Sequence, residues 1–583
     1  MCTPSDVPAS KAATLRQLAR EATLAGLKDP IVNLLCHRDV PAGRTPLAYA
    51  VALNDMHTCR ELLAMGADVN AKMENDTALT IAIKNKKRDL TEMVRLLLSK
   101  GADPTALAAA GIDEDGDEYH EQLNETMRHW IGVARRVGVQ PEHIKKVLAN
   151  NPPMDRMHEC NYAVVGEEPA LTLIKRALNA RFGNVAAQTK PLVMAFLGPP
   201  GHGKTYLTRN LAHSLVGTDN VLEVACGALR DDADLFGSSL GGSRQGDYSS
   251  DGRLTAFLRA RQDRDNIVFL DEFEKIKGLT SALGWDQAKK MYQAFLEPWQ
   301  EGTLTDVGAR AGRNDTPHAD RTPGKIRTSR TVWILTSNWG QDEIVRFAET
   351  HKQRVYGSIS EADVDWLKKE LGEELLKPLL LQQFRGVDRE LQALARRIDE
   401  IVPFLPFTTH EQMVVADMEL RRRLSDYRQP CVNAPEDKKR MLGNVMLKHT
   451  RMLTAHATKF YDPMTGATTM GNVAREADGL FITRFAENKL KSPQHVQELM
   501  SSDKPPPTDA QLPEMWLHYD EDVGRVGLWE GEPPPPPEPA ATDAGGSSGS
   551  GGELGGQVHG GDSPVSMPIA PPPPMVAPVN PFG

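Results

Sequence analysis

Cysteine is scarce in this 583-residue sequence: there are six, at Cys2, Cys36, Cys59, Cys160, Cys226 and Cys431, with no C-x-x-C pair among them. Such spacing excludes a disulfide framework and a zinc ribbon, and fits reduced thiols. Sixteen histidines include no H-E-x-x-H pair, which excludes a zinc-peptidase helix. No window reaches the roughly eighteen continuous apolar residues that a membrane-spanning helix needs, so no membrane partner is expected. The first residues carry Asp6 and lack the apolar stretch of a signal peptide. A cytoplasmic location is therefore expected, with a mitochondrial one as the alternative because of the basic segment "LRQLAREATL". The formal net charge is −10, so no global positive field invites nucleic acid. The local basic run Arg421–Arg423 reads as a solvated helix face. No N-K-x-D box occurs, which disfavours a GTPase.

What the sequence does have is a phosphate cradle. Residues 195–207 read "AFLGPPGHGKTYL", in which Gly198, four residues, then Gly203, Lys204 and Thr205 form a Walker A pattern. An apolar run, Pro191 to Leu197, enters the loop and a mixed segment, Tyr206 to Val216, leaves it, in the strand, loop and helix order such a cradle requires. Glycine lets consecutive N–H groups turn toward a phosphate, and the helix that follows aims its positive end at the same point. Gly198, Pro199, Pro200, Gly201, His202, Gly203, Lys204 and Thr205 are thus the expected nucleotide-binding residues. Lys204 is expected to reach the β- and γ-phosphates and Thr205 to ligate Mg²⁺, so ATP and Mg²⁺ are the expected cofactors.

Two further apolar runs end in polar residues. Sixty-seven residues after Lys204, "NIVFLDEFEK" (266–275) presents Asp271 and Glu272 at the end of a buried parallel strand. In P-loop enzymes that aspartate serves the metal and an adjacent glutamate polarises the attacking water. Asp271 is accordingly assigned to Mg²⁺ and to catalysis, and Glu272 to catalysis. Another sixty-seven residues on, "TVWILTSNWG" (331–340) ends in Thr336, Ser337 and Asn338, beside the Asp271 strand. "ARRIDEIVPF" (395–404) follows.

The ends of the chain read differently. Thr45 and Thr77 stand 32 residues apart, and Gly66 and Gly101 stand 35 apart, in two copies of a helical pattern. The "TPL" turn at Thr45–Leu47, the "LL" of the second helix and the "GADVN" turn at Gly66–Asn70 resemble ankyrin repeats. Ala48 and Thr80 replace the usual histidine. Two repeats are few, because each buries its apolar face only against neighbours, and the helical segment 10–37 is expected to act as a degenerate first repeat or cap. From residue 501 onward proline, glycine and serine dominate, a composition that predicts disorder. Its one aromatic island, "EMWLHYDEDVGRVGLWEG" (514–531), is the candidate segment for packing back on the body.

Residues 160–500 resemble the AAA+ ATPase module of Clp-type chaperones such as ClpB. "VVGEEPALTLIKRAL" (164–178) resembles the family's opening box, and "FLEPWQEGTLTD" (295–306), "ILTSNWG", "RRIDEIVPF" and "KFYDPMTGA" (459–467) follow in the family's order. Ankyrin repeats ahead of one such module also resemble the arrangement in ankyrin-containing ClpB homologues of mitochondria. The resemblance implies that Val164 and Val165 flank the adenine, that Asn338 is sensor 1, and that Arg397 is an arginine finger acting on a neighbouring subunit. Arg396 is the alternative finger. It implies ring assembly and misfolded or aggregated protein substrates, with no nucleic acid.

Two departures bear on function. Thr468 follows Gly466 and Ala467 where the family has the arginine of sensor 2, with Arg475 as a candidate replacement. No pore-loop "GYVG" occurs, and Tyr248 is the aromatic residue available between Gly237 and Leu254. The basic insertion 307–330 is expected on the surface. The expected fold is an α/β P-loop AAA+ module, a parallel sheet flanked by helices plus a helical lid, preceded by an all-α ankyrin stack. Expected boundaries are 1–110 for ankyrin repeats, 111–155 for a linker with the acidic "DEDGDEY" and then the helical-looking "NETMRHWIGVARRV", 156–410 for the large ATPase domain, 411–501 for the lid and 502–583 for a disordered tail. The expected function is an ATP-hydrolysing protein remodeller of disaggregase or unfoldase type. The alternative is an ankyrin adaptor with a nucleotide-switched, weakly hydrolysing module.

Overall fold

A computed structural model describes residues 45–72, 76–85, 89–109, 123–138, 159–162, 164–183, 189–230, 232–237, 252–278, 285–306, 324–357, 360–428, 444–447, 450–468, 470–471, 475–476, 480, 514–520 and 525–530. The expected cap at 10–37, the loop with Tyr248, residues 307–323 of the insertion and most of the tail lie outside the described residues.

The repeats give four helices, α1 (Pro46–Ala52), α2 (Met56–Ala64), α3 (Ala78–Lys84) and α4 (Thr91–Ser99). Threonines start the first helix of each pair. Thr45 Oγ1 accepts from the Ala48 N–H at 3.3 Å. At α3 the exchange is reciprocal: Thr77 Oγ1 accepts from the Thr80 N–H, and Thr80 Oγ1 accepts from the Thr77 N–H at 2.8 Å. Thr80, standing where ankyrin repeats carry histidine, therefore closes the first turn by a capping box. Asn70 ties one repeat to the next, accepting from the Asp103 N–H at 2.8 Å and donating to the Gly101 carbonyl at 2.9 Å.

The region expected to be a linker contains a core helix, α5 (Glu125–Val137). Met127, Trp130, Ile131 and Ala134 recur at helical spacing and are buried with the ankyrin leucines in one apolar cluster. Trp130 is fully buried. The stack needs such a partner because a repeat at its end has no neighbour to cover its face.

The large domain opens with α6 (Glu168–Gly183), then β1 (Leu192–Leu197), α7 (Lys204–Val216), β2 (Val221–Ala225) and β3 (Asn266–Asp271). A small antiparallel pair, β4 (Thr303–Thr305) and β5 (Lys325–Arg327), precedes β6 (Thr331–Ser337), and β7 (Glu400–Pro403) closes the sheet. The main sheet is parallel throughout, in the order β2-β3-β6-β1-β7. Its central strands are buried on both faces, which is why they read as continuous apolar runs. At the described end of the basic insertion, Arg327 pairs with Asp263 at 2.6 Å and Arg330 with Asp265 at 2.9 Å.

After β7 come α8 (Thr409–Arg428), β8 (Asn444–Leu447) and α9 (Thr450–Thr458). Two expectations are corrected here. The lid is not purely helical, and the tail contributes to it: β9 (Glu514–Asp520) and β10 (Arg525–Glu530) pair antiparallel, and β9 lies parallel to β8. The aromatic island forms strands because its β-branched and aromatic residues favour a half-buried pleated surface; Leu517 and Val526 are buried. The run Arg421–Arg423 is likewise not a solvated face at its first residue. The Arg421 side chain is only 15% exposed, pairing with Asp89 and with Asp417, each at 2.8 Å. Thr126 Oγ1 donates to the same Asp417 carboxylate at 2.6 Å. One buried network thus joins the stack, its closing helix α5 and the first lid helix α8.

Arg421→Ala leaves the carboxylates of Asp89 and Asp417 buried without their shared cation, a change that costs about 3–5 kcal/mol. Urea unfolding followed by tryptophan fluorescence is expected to show a clearly lower midpoint for this variant. Arg422→Ala, at a side chain 60% exposed, is expected to leave the midpoint where it is.

Candidate active site

The sheet order places the ends of β1, β3 and β6 side by side, so the loops leaving them converge. The β1–α7 loop brings Lys204, 7% exposed, beneath its own carbonyls. Its ammonium donates to the carbonyls of Gly198 and Pro199, both at 2.7 Å, and to Asn338 Oδ1 at 3.1 Å. Thr205 Oγ1 donates to Asp271 Oδ1 at 2.9 Å, and Thr336 Oγ1 donates to the same oxygen at 2.6 Å. Glu272 begins the turn after β3 with φ +54°, a left-handed conformation that non-glycine residues seldom adopt. Its N–H donates to Thr336 Oγ1 at 3.1 Å, and its carboxylate pairs with Lys275 at 2.7 Å.

An aromatic cluster, buried except for the half-buried Trp339, holds the loops after β3 and β6 in place. Phe273, directly after Glu272, lies 5.4 Å from Tyr292, 5.7 Å from Phe295 and 6.4 Å from Phe384. Trp339, directly after Asn338, lies 5.3 Å from Phe384 and 6.5 Å from Phe273. The edge-on contacts fix both loops by apolar burial while the neighbouring polar residues face the cavity. Glu274 completes the arrangement, accepting from Asn338 Nδ2 at 3.0 Å. It leaves Asn338 with its amide oxygen toward Lys204 and its amide nitrogen toward an acid.

These side chains line a cavity of about 1180 Å³. Val164 and Val165 line it too, together with Thr468 and Arg475 of the lid. The two valines divide between cores: Val164 packs with the large domain and Val165 with the ankyrin stack. Burial pulls the Lys204 pKa down to about 8, against the opposing pull of Glu274, Glu167, Asp271 and Glu272. An ammonium short of solvent and held by backbone carbonyls is suited to exchange them for phosphate oxygens. Thr205 and Asp271 offer oxygen ligands only, the donor type that Mg²⁺ takes.

Residues 20–108 match ankyrin repeats in three copies, and residues 190–384 match the AAA domain (Cdc48 subfamily). The ClpB chaperone of Chlamydia caviae is 24% identical over 319 residues, 53% of this chain and 30% of its own length. That of Bacillus cereus is 27% identical over 318 residues, 52% of this chain and 30% of its own length. The chain carries ankyrin repeats followed by an AAA domain, and it is similar to ClpB chaperones. It therefore spans about a third of the length of the curated ClpB relatives it matches. A solved closed-state Hsp104 with ATPγS and FITC-casein aligns with a TM-score of 0.42 at 16% identity, covering 82% of this chain and 72% of that one.

Within the AAA+ module, Lys204, Thr205, Asp271, Glu272 and Asn338 meet around one cavity. Arg397 is not among them: its guanidinium donates to Gln300 Oε1 at 2.6 Å and to the Ala393 carbonyl at 3.3 Å, beyond the end of the sheet. Arg396 is exposed. Glu274 escaped the sequence reading of site roles, and Thr336, read there as one of three polar residues at the strand end, instead holds Asp271 and the Glu272 N–H. The signal was present in the second acid of "DEFEK" and in the threonine two places before Asn338.

Folded, Lys204 loses its proton near pH 8; unfolded, it does so near 10.5. Between those values the unfolded chain binds more protons, so the stability contributed by this group rises with pH across that window and its cost is complete below it. Without nucleotide, Lys204→Met is expected to melt higher than wild type at pH 7, with the difference shrinking toward pH 10. A difference in melting temperature that stays constant with pH would refute the assignment.

Proposed function

We propose that this protein hydrolyses ATP and uses the cycle to remodel other proteins, as a ring of copies. The observation that carries the reading is the convergence of Lys204, Thr205, Asp271, Glu272 and Asn338 on one cavity, with Arg397 turned away from it. In this reading the nucleotide, with its Mg²⁺, supplies the phosphoryl group that is transferred to water. Lys204 leaves its two loop carbonyls to hold the β- and γ-phosphate oxygens. Thr205 and Asp271 hold the metal through oxygen, and Thr336 keeps the Asp271 carboxylate oriented by its hydrogen bond.

Glu272 takes the proton of the attacking water. Its backbone is fixed by Thr336 and by the burial of Phe273, so the carboxylate can leave exposed Lys275 without moving the turn. Asn338 orients that water, its own amide set by Lys204 and Glu274. A phosphoryl group in transfer also calls for a cation on its outer oxygens. Arg397 of an adjoining copy fills that role, which makes turnover depend on assembly. The resemblance to ClpB supports protein clients, and the ankyrin stack is suited to recruiting them.

A second reading, a nucleotide-switched adaptor with little turnover, is favoured by one feature. Thr468 stands where relatives have the lid arginine, although Arg475 reaches the same cavity.

Glu272→Gln is expected to bind ATP, to stabilise the oligomer and to lose at least about a hundredfold in kcat, the share of a general base. Arg397→Ala is expected to lose on the order of 10³ in kcat with ATP affinity nearly unchanged. Phosphate release by wild type no greater than by Glu272→Gln decides for the adaptor, and reactivation of an aggregated test protein decides for the remodeller.

A further inference from the structure

His202 sits in the middle of the phosphate loop, 1% exposed, and its ring is engaged by the lid. Nδ1 lies 2.9 Å from the Pro200 carbonyl and 3.3 Å from that of Pro199. Carbonyls only accept, so Nδ1 carries the proton and Nε2 has a free lone pair. That lone pair faces the Tyr461 hydroxyl at 3.0 Å, which donates to it. The hydroxyl in turn accepts from the Phe407 N–H at 2.8 Å. Phe407 lies in the connection from β7 to α8, and its ring packs on the His202 ring at 4.9 Å. Burial pulls the His202 pKa down to about 4, so the ring stays neutral and keeps this tautomer.

A second contact runs beside the first. The Gly201 carbonyl accepts from the Ala467 N–H at 3.1 Å. The backbones touch so closely that a Cβ on Gly201 would lie 2.2 Å from the Thr465 carbonyl oxygen, and one on Gly466 would lie 2.7 Å from the Gly201 carbonyl carbon. Both glycines also adopt left-handed backbone, at φ +75° and +58°. The lid turn Thr465–Thr468 is therefore seated on Gly201 and His202, in the middle of the loop expected to cradle phosphate.

The geometry points to a latch: His202 is a positioning residue through which Tyr461 holds the lid on the phosphate loop, so that lid release and nucleotide release are one event. The nucleotide half of this statement rests on the ATP reading above. The physical reason is that the loop cannot keep its phosphate-binding shape while its outer side follows a departing lid. Loop and lid are joined here through His202, by the Tyr461 hydroxyl, and through Gly201, by the Ala467 N–H.

The test uses the full chain with Tyr461→Phe, His202→Val and the double variant. Without nucleotide, hydrogen exchange in peptides covering residues 459–468 is expected to speed up about tenfold in each single variant, the scale of one lost hydrogen bond. Peptides covering β1 should be unchanged. With nucleotide, release of a fluorescent ADP is expected to speed up about five- to tenfold in each single variant, and in Tyr461→Phe KM for ATP is expected to rise while kcat holds. The double variant should match the single ones, because both remove the same bond. Unchanged exchange and release, or effects that add in full, would overturn the latch. Wild type that binds no fluorescent ADP would sink the ATP reading, and the exchange experiment would still decide whether the lid is tied through His202.

Discussion

A buried positive charge organises this molecule. The Lys204 ammonium sits under its own loop, and it is tolerable there because two carbonyls and an amide oxygen accept from it while several carboxylates stand close by. The two carbonyls follow β1, Asn338 follows β6, and Asp271, Glu272 and Glu274 stand at or just after the end of β3. Parallel pairing of β1 with β6 and of β6 with β3 is what brings them into reach. The aromatic cluster beneath, centred on Phe273, keeps the loops from relaxing away from the charge they surround.

The same cavity lies at the meeting point of three bodies. Val164 belongs to the large-domain core and Val165 to the ankyrin core. The lid rests directly on the phosphate loop at Gly201 and is bound to the stack through Arg421. A change in the lid is therefore felt by the loop on one side and by the repeats on the other. The polar network around Asp417 has geometric requirements that an apolar contact would lack, so it sets one register between α5 and α8.

Much of this was legible in the sequence because its elements are local. A Walker pattern, a run of buried strand residues and a helical repeat each carry their own spacing, so Lys204, Thr205, Asp271, Glu272 and Asn338 could be singled out without coordinates. What escaped depends on contacts between distant segments. Arg421 looked like part of a solvated basic run, since nothing near it in sequence announces Asp89, more than three hundred residues away. His202 looked like one more loop residue until Tyr461 was placed against it. The aromatic island at 514–530 stood out from the surrounding proline and glycine as a segment to pack on the body, but its pairing with β8 depends on a strand about seventy residues earlier. The closing helix α5 was legible as a helix, but its place in the core was not, because the ankyrin leucines it packs against lie in another segment.

The claim underlying all of this is that the cavity around Lys204 holds one magnesium-bound nucleoside triphosphate per chain. Calorimetric titration of the full chain with ATP, in the presence and absence of Mg²⁺, tests it most directly. The account requires one binding event per chain, weakened when Mg²⁺ is withheld. No heat of binding, or binding indifferent to both Mg²⁺ and the replacement of Thr205 by valine, would contradict it.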